Sequence, residues 1–218
     1  MITVTTAYVL HIPLPTGGYI HLGDTLIYLC ACLLPTPWAV AAGAIGGGLA
    51  DLLTAPMWIL PTVIVKALVC LPFTAKHRCV FCRRNVFAVL IAGLLSPTLY
   101  GVANMVISGV SAAFVPQFLG TLIQSVGSGA IFIVFALAAD RMRNLVTGIL
   151  HVRDPRLSIH DFRMVPGTGH TNLLFDLAVP ADMIKEYDQI QQSLEAALND
   201  LGEGTYYTVI TFDNAAFN

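Results

Sequence analysis

Between Met1 and Ala139 this chain carries only seven charged side chains, Asp24, Asp51, Lys66, Lys76, Arg78, Arg83 and Arg84, while the shorter remainder from Asp140 holds all the others. An ionised group in hydrocarbon is costly, so a long stretch this poor in charge reads as a membrane region and the rest as a soluble tail. The mean hydropathy of +0.74 and a charged fraction of 11%, against roughly 25% in an average soluble domain, agree with that division. We place it at residues 1–142 and 143–218, after the cluster Asp140-Arg-Met-Arg143. The net charge of −2 and the lack of a basic stripe with interleaved aromatics argue against nucleic acid.

Helix-length apolar runs punctuated by proline set the expected spans. Met1 to Ile12 is about 18 Å long as a helix, short of the roughly 30 Å hydrocarbon core. It has no basic leader and no small-residue cleavage site, so a first helix that lacks its beginning is preferred over a signal peptide. The spacing then predicts helices over Asp24–Leu34, Trp38–Leu53, Leu60–Leu71, Val86–Ser108 and Phe118–Ala139, broken at Pro35-Thr-Pro37 and at Thr54–Trp58. Lys76, Arg78, Arg83, Arg84, Arg141 and Arg143 fall in or beside connections that the positive-inside rule assigns to the cytoplasm. This makes a multi-pass plasma-membrane protein with a cytoplasmic tail. The Pro- and Gly-broken run His11 to Asp24, the Thr54–Trp58 turn and the Ser111–Gln117 turn then lie at the outer face.

Polar side chains near those outer ends suit a flat heterocycle caught by stacking and hydrogen bonds: Tyr19, His21, Trp58, Thr62, Asn104, Gln117 and Gln124. Each of the helical ones can instead be a helix–helix hydrogen bond. Asp51 and Lys66 pair with each other, reach to an interface or hold the solute. Asp24 is read as the cap of its helix. In AVAAGAIGGGLAD, Ala39, Gly43 and Gly47 share one face, and Ala42, Gly46 and Ala50 another, which lets a helix approach closely, either within the bundle or from a partner.

The sequences GGYIHLGD, LPTPWAVAAGAIGGGLADLLTAP and PTVIVKAL resemble, in that order, the substrate-binding S component of energy-coupling factor (ECF) vitamin transporters, over residues 1–142. The resemblance implies a six-helix membrane bundle and a small water-soluble vitamin or nucleobase-like precursor held under the first loop. It also implies partners: a coupling membrane protein and two ATP-binding subunits, with Ala42, Gly43, Gly46, Gly47 and Ala50 as the docking face. The chain has no GxxxxGK[ST] phosphate loop, so ATP hydrolysis falls to those partners. Ser125 and Ser128 have no histidine at a comparable depth, which argues against an enzyme.

The tail reads as a small α+β module of ferredoxin-like plan. A helix through Leu145–His151 precedes strands over Leu157–Val165 and His170–Val179, a helix over Ala181–Leu201 and a strand over Tyr206–Phe212. SIHDFRMVPGTGHTNLLFDLAVPADM resembles the cytoplasmic domain of cation diffusion facilitators, which implies a homodimer and zinc at His160, Asp161 and His170. Cys79 and Cys82, in CVFC, are half of a zinc site at most. The second function class is therefore a metal-responsive or cation-transporting membrane protein, and vitamin uptake is preferred because the membrane half has no cluster of cation ligands.

Overall fold

The computed structural model describes residues 12–13, 19–20, 23–75, 79–202 and 204–214. It divides into two compact units, Met1–Leu137 and Ala138–Asn218. The reading of Met1 to Ile12 as an incomplete first helix, and His21, lie outside the described residues. Within the opening loop, Ile12–Pro13 and Tyr19–Ile20 pair antiparallel as short strands β1 and β2.

The described residues of the first unit form five helices: α1 (Gly23–Leu33), α2 (Thr36–Thr54), α3 (Ile59–Cys70), α4 (Arg83–Ser108) and the first part of α5 (Phe114–Arg153). Proline sets the start of α2, since Pro37 sits in its first turn, where the missing N–H has no partner to lose. A 3₁₀ turn at Pro56–Trp58 leads into α3. Gly109, with φ +70°, closes α4 in the left-handed conformation that favours glycine. α5 does not stop at Ala139 as expected. It runs on through Asp140-Arg-Met-Arg143 and absorbs the short helix expected at Leu145–His151, because that stretch contains no proline and arginine, methionine and leucine all propagate a helix.

Small residues decide the packing of α2 on α3. A Cβ at Gly43 would lie 2.9 Å from Cys70 Sγ, and one at Gly47 would lie 2.9 Å from both Lys66 Cγ and Thr62 Cγ2. Beneath, Tyr28 stacks on Phe73 at 5.2 Å between ring centroids, and both meet Phe132 edge-on at 6.0 Å. Buried Asn85 fastens the α3–α4 connection: Thr74 N–H donates to its Oδ1, and its Nδ2 donates to the carbonyls of Thr74 and Val80. Large apolar side chains such as Trp38, Leu60 and Val106 point outward. Among the described residues, two helical stretches, Arg83–Ser108 and Ser111–Arg153, are long and apolar enough to cross a membrane.

In the second unit the order is α-β-β-α-β, counting the last part of α5. β3 (Ser158–Pro166) pairs antiparallel with β4 (Thr171–Val179), and β4 pairs in parallel with β5 (Tyr206–Asn214), giving the sheet order β3-β4-β5. Leu173, Phe175, Leu177 and Val179 alternate inward and meet Ile190, Leu194 and Leu198 of α6 (Tyr187–Asp200). The expected helix start at Ala181 is a 3₁₀ segment, Ala181–Glu186. α6 also satisfies the outer edge of β5 with side chains one turn apart. Asn199 Oδ1 accepts from Tyr206 N–H while its Nδ2 donates to Tyr206 O. Glu195 accepts from the N–H and hydroxyl of Thr208, and Gln191 donates to Thr208 O.

Candidate solute-binding site

Where the helices begin and end puts several polar residues in one layer. α1, α3 and α5 start, and α2 and α4 finish, at the same end of the first unit, as the bonds between them require. Thr62 sits about 5 Å below the start of α3 and Lys66 about 10 Å, while Tyr100 is about 12 Å from the end of α4 and Gln124 about 15 Å from the start of α5.

Two bonded groups share this layer. In the first, the Thr62 hydroxyl donates to Asp51 and stands 2.8 Å from Tyr100 Oη. Thr62 has one proton to give, so Tyr100 donates to Thr62 and the polarity of the chain points toward the carboxylate. The Trp58 ring lies 5.9 Å from that of Tyr100. In the second, Lys66 Nζ is 2.5 Å from Asp24 Oδ1, and Gln124 Nε2 donates to Asp24 Oδ2 at 3.1 Å. The ammonium of Lys66 also faces the Tyr100 ring at 5.4 Å, which ties the two groups together.

These contacts correct two expectations. Lys66 pairs with Asp24, not with Asp51. Asp24 lies inside the first turn of α1 and gives both oxygens to α3 and α5, so its place is in a bridge between three helices. A carboxylate there also faces the positive end of the α1 dipole.

Of the residues singled out from sequence, Trp58, Thr62 and Gln124 enter this layer. Asn104 instead donates to Ala113 O at 2.9 Å and closes the α4–α5 connection. Gln117 reaches Thr121 one turn along α5. Tyr19 is placed by its backbone in β2, and His21 lies outside the described residues. The sequence reading did not select Tyr100 or Asp24 as site residues. The spacing of Tyr100 four residues before Asn104, on one helical face, was the signal available.

The small-residue faces of α2 separate. Gly43, Gly47 and Ala50 are buried, the two glycines against α3, so they serve the chain's own bundle, whereas Ala42 is exposed and Gly46 half-buried.

The expected zinc set of the tail is not brought together. His160 lies opposite Asp176, and His170 precedes Asp176 by six residues along β4, roughly 20 Å of strand. Asp161 sits at the bulge between His160 and Arg163 with φ 47°. Each imidazole has a local contact, His160 with the Ser158 hydroxyl and His170 with Thr168 O. Among the described residues no three His, Cys, Asp or Glu side chains group around a common point.

The comparison with known families decides what the first unit is: the sequence model described as ECF-type riboflavin transporter, S component, matches residues 1–141. The chain belongs to that family. The match covers the unit that holds the polar layer and stops short of the tail. A relative from Pyrococcus woesei, described as an "Uncharacterized protein in gap 3'region", is 41% identical over 66 residues, 30% of this chain and 44% of that protein. The chain thus spans less than half the length of that relative.

Proposed function

We propose that this S component captures a flat heterocyclic vitamin at the outer face, and that the vitamin is riboflavin, the substrate in the family's description. The observation that carries the reading is the Trp58–Tyr100–Thr62–Asp51 cluster: two aromatic rings beside a hydroxyl chain that ends on a carboxylate. A tricyclic ring with polar edges takes stacking from the first and hydrogen bonds from the second. Lys66, Asp24 and Gln124 hold α1, α3 and α5 at the spacing this requires.

In this reading the chain crosses the membrane several times with its tail in the cytoplasm. A coupling membrane protein docks on the exposed part of α2 around Ala42 and Gly46, and two ATP-binding subunits supply the energy. The chain itself performs no chemistry. A thermal-shift panel of water-soluble vitamins and of zinc on the detergent-solubilised chain tests the reading. Riboflavin is expected to raise Tm with concentration. Stabilisation by zinc and by no vitamin would overturn it.

A further inference from the structure

The motif CVFC, Cys79 to Cys82, lies in the α3–α4 connection and takes no part in the polar layer. The chain bends at Val80 and Phe81, and Cys82 N–H donates back to Val80 O at 3.1 Å. Asn85 Nδ2 donates to that same carbonyl at 3.0 Å, and buried Asn85 is itself bonded to both backbone groups of Thr74. The bend is therefore fixed against the first turn of α4. Fully extended, three residues span about 10 Å. A reversal here brings Cys79 and Cys82 toward the roughly 4.4–6.8 Å between Cα atoms that a disulfide needs.

The two thiols differ in access. Cys79 is exposed, whereas Cys82 is half-buried and immediately precedes α4, where its side chain caps none of the first N–H groups. α4 opens on exposed Arg83 and Arg84, with no acid in its first turn. Two cations at the positive end of a helix oppose its dipole, so negative charge is favoured there, both on an arriving reagent and on sulfur during exchange. Cys30, Cys32 and Cys70 belong to α1 and α3 and are buried or half-buried. Among the described residues no third His, Cys, Asp or Glu side chain groups with the pair, so its own chemistry is that of a dithiol.

We propose that Cys79 and Cys82 form a dithiol site that exchanges with a small anionic disulfide of the glutathione type. The Cys79 thiolate attacks one sulfur of the reagent, the reagent's S–S bond breaks, and one thiolate leaves and takes up a proton. The Cys82 thiolate then attacks Cys79 sulfur, and the second thiolate leaves. Two protein thiols are oxidised to one disulfide while one small disulfide is reduced to two thiols. In the topology proposed above this connection lies at the cytoplasmic end, where disulfides are transient and a pair that cycles responds to the thiol pool. Only that placement rests on the earlier reading.

Anaerobic incubation of the full, detergent-solubilised chain with oxidised glutathione, followed by alkylation and mass spectrometry, tests it. The wild-type chain is expected to lose two hydrogens and to yield a peptide with Cys79 linked to Cys82, both reversed by dithiothreitol. Cys82→Ser is expected to stop at one glutathionyl group on Cys79. Cys79→Ser is expected to react about tenfold or more slowly, at Cys82. A wild-type chain that stays reduced, stops at a stable mixed disulfide, or links either cysteine to Cys30, Cys32 or Cys70 would overturn the inference, as would equal rates for the two variants. No solute enters this measurement, so its failure leaves the vitamin-capture reading standing, and failure of vitamin binding leaves this exchange standing.

Discussion

Lys66 Nζ stands 2.5 Å from Asp24 Oδ1 with the two side chains 3% and 2% exposed, and the carboxylate's other oxygen accepts from Gln124. Removing one member of such a pair leaves a buried charge without compensation, a loss of about 3–5 kcal/mol, whereas replacing both is often close to neutral. Lys66→Met and Asp24→Asn are therefore each expected to lower stability strongly. The double variant is expected to recover much of the loss. Thermal unfolding in detergent checks this, and additive losses would show that the two residues act separately.

Gly47 and Gly127 predict opposite outcomes for the same substitution. A Cβ at Gly47 meets the Lys66 and Thr62 side chains at 2.9 Å, and both are held by their own hydrogen bonds, so Gly47→Ala is expected to destabilise by about 1–3 kcal/mol. Nothing lies within 4 Å of a Cβ at Gly127. There the better helix propensity of alanine is expected to stabilise by up to about 1 kcal/mol. Parallel Tm measurements on the two variants distinguish packing from propensity.

In the tail, Glu195 and Asn199 satisfy backbone groups at the edge of β5 that no strand among the described residues covers. Glu195→Ala or Asn199→Ala is expected to cost about 1–3 kcal/mol. Hydrogen exchange at the Thr208 and Tyr206 amides is expected to speed up accordingly, each responding to its own partner.

Arg156 forms hydrogen bonds with both Asp154 and Asp182, and these hold both carboxyls below the ordinary carboxylate range. A carboxyl with a depressed folded pKa contributes stability above its unfolded value, about 3.9, and that contribution is lost as pH falls through the lower folded value. Hydrogen exchange across residues 154–186 is expected to increase as the pH is lowered below about 4. Arg156→Gln is expected to raise exchange at neutral pH and to abolish the acid-dependent step. An unchanged step in the variant would assign the pH dependence to other groups.

Helix positions were legible because proline and hydrophobic period act locally. Pro35, Pro37 and Pro56 bracket α2 within a few residues of where the chain turns, and the alternation of Leu173, Phe175, Leu177 and Val179 places β4. The end of α5 was not legible from charge. Asp140, Arg141 and Arg143 mark a change of solvent, and a helix continues through such a change if nothing in its backbone stops it. Pairings across helices were legible least. Lys66 is far nearer in sequence to Asp51 than to Asp24, which lies 42 residues away, and the choice of Asp24 depends on how α1 lies against α3. The solute candidates separated for the same reason. Thr62 and Gln124 point into the shared layer, whereas Asn104 and Gln117 have acceptors within their own connection and helix. The zinc expectation rested on three residues close in sequence, and the hairpin carries His160 and His170 toward opposite ends of a strand.

The central claim is that the cluster of Trp58, Tyr100, Thr62 and Asp51 captures a flat vitamin. Quenching of riboflavin fluorescence by the purified chain tests it most directly. One riboflavin per chain with a Kd of about 1 µM or tighter is expected, weakened about tenfold or more by Trp58→Ala. No quenching by the wild-type chain, or a Kd that Trp58→Ala leaves unchanged, would contradict it.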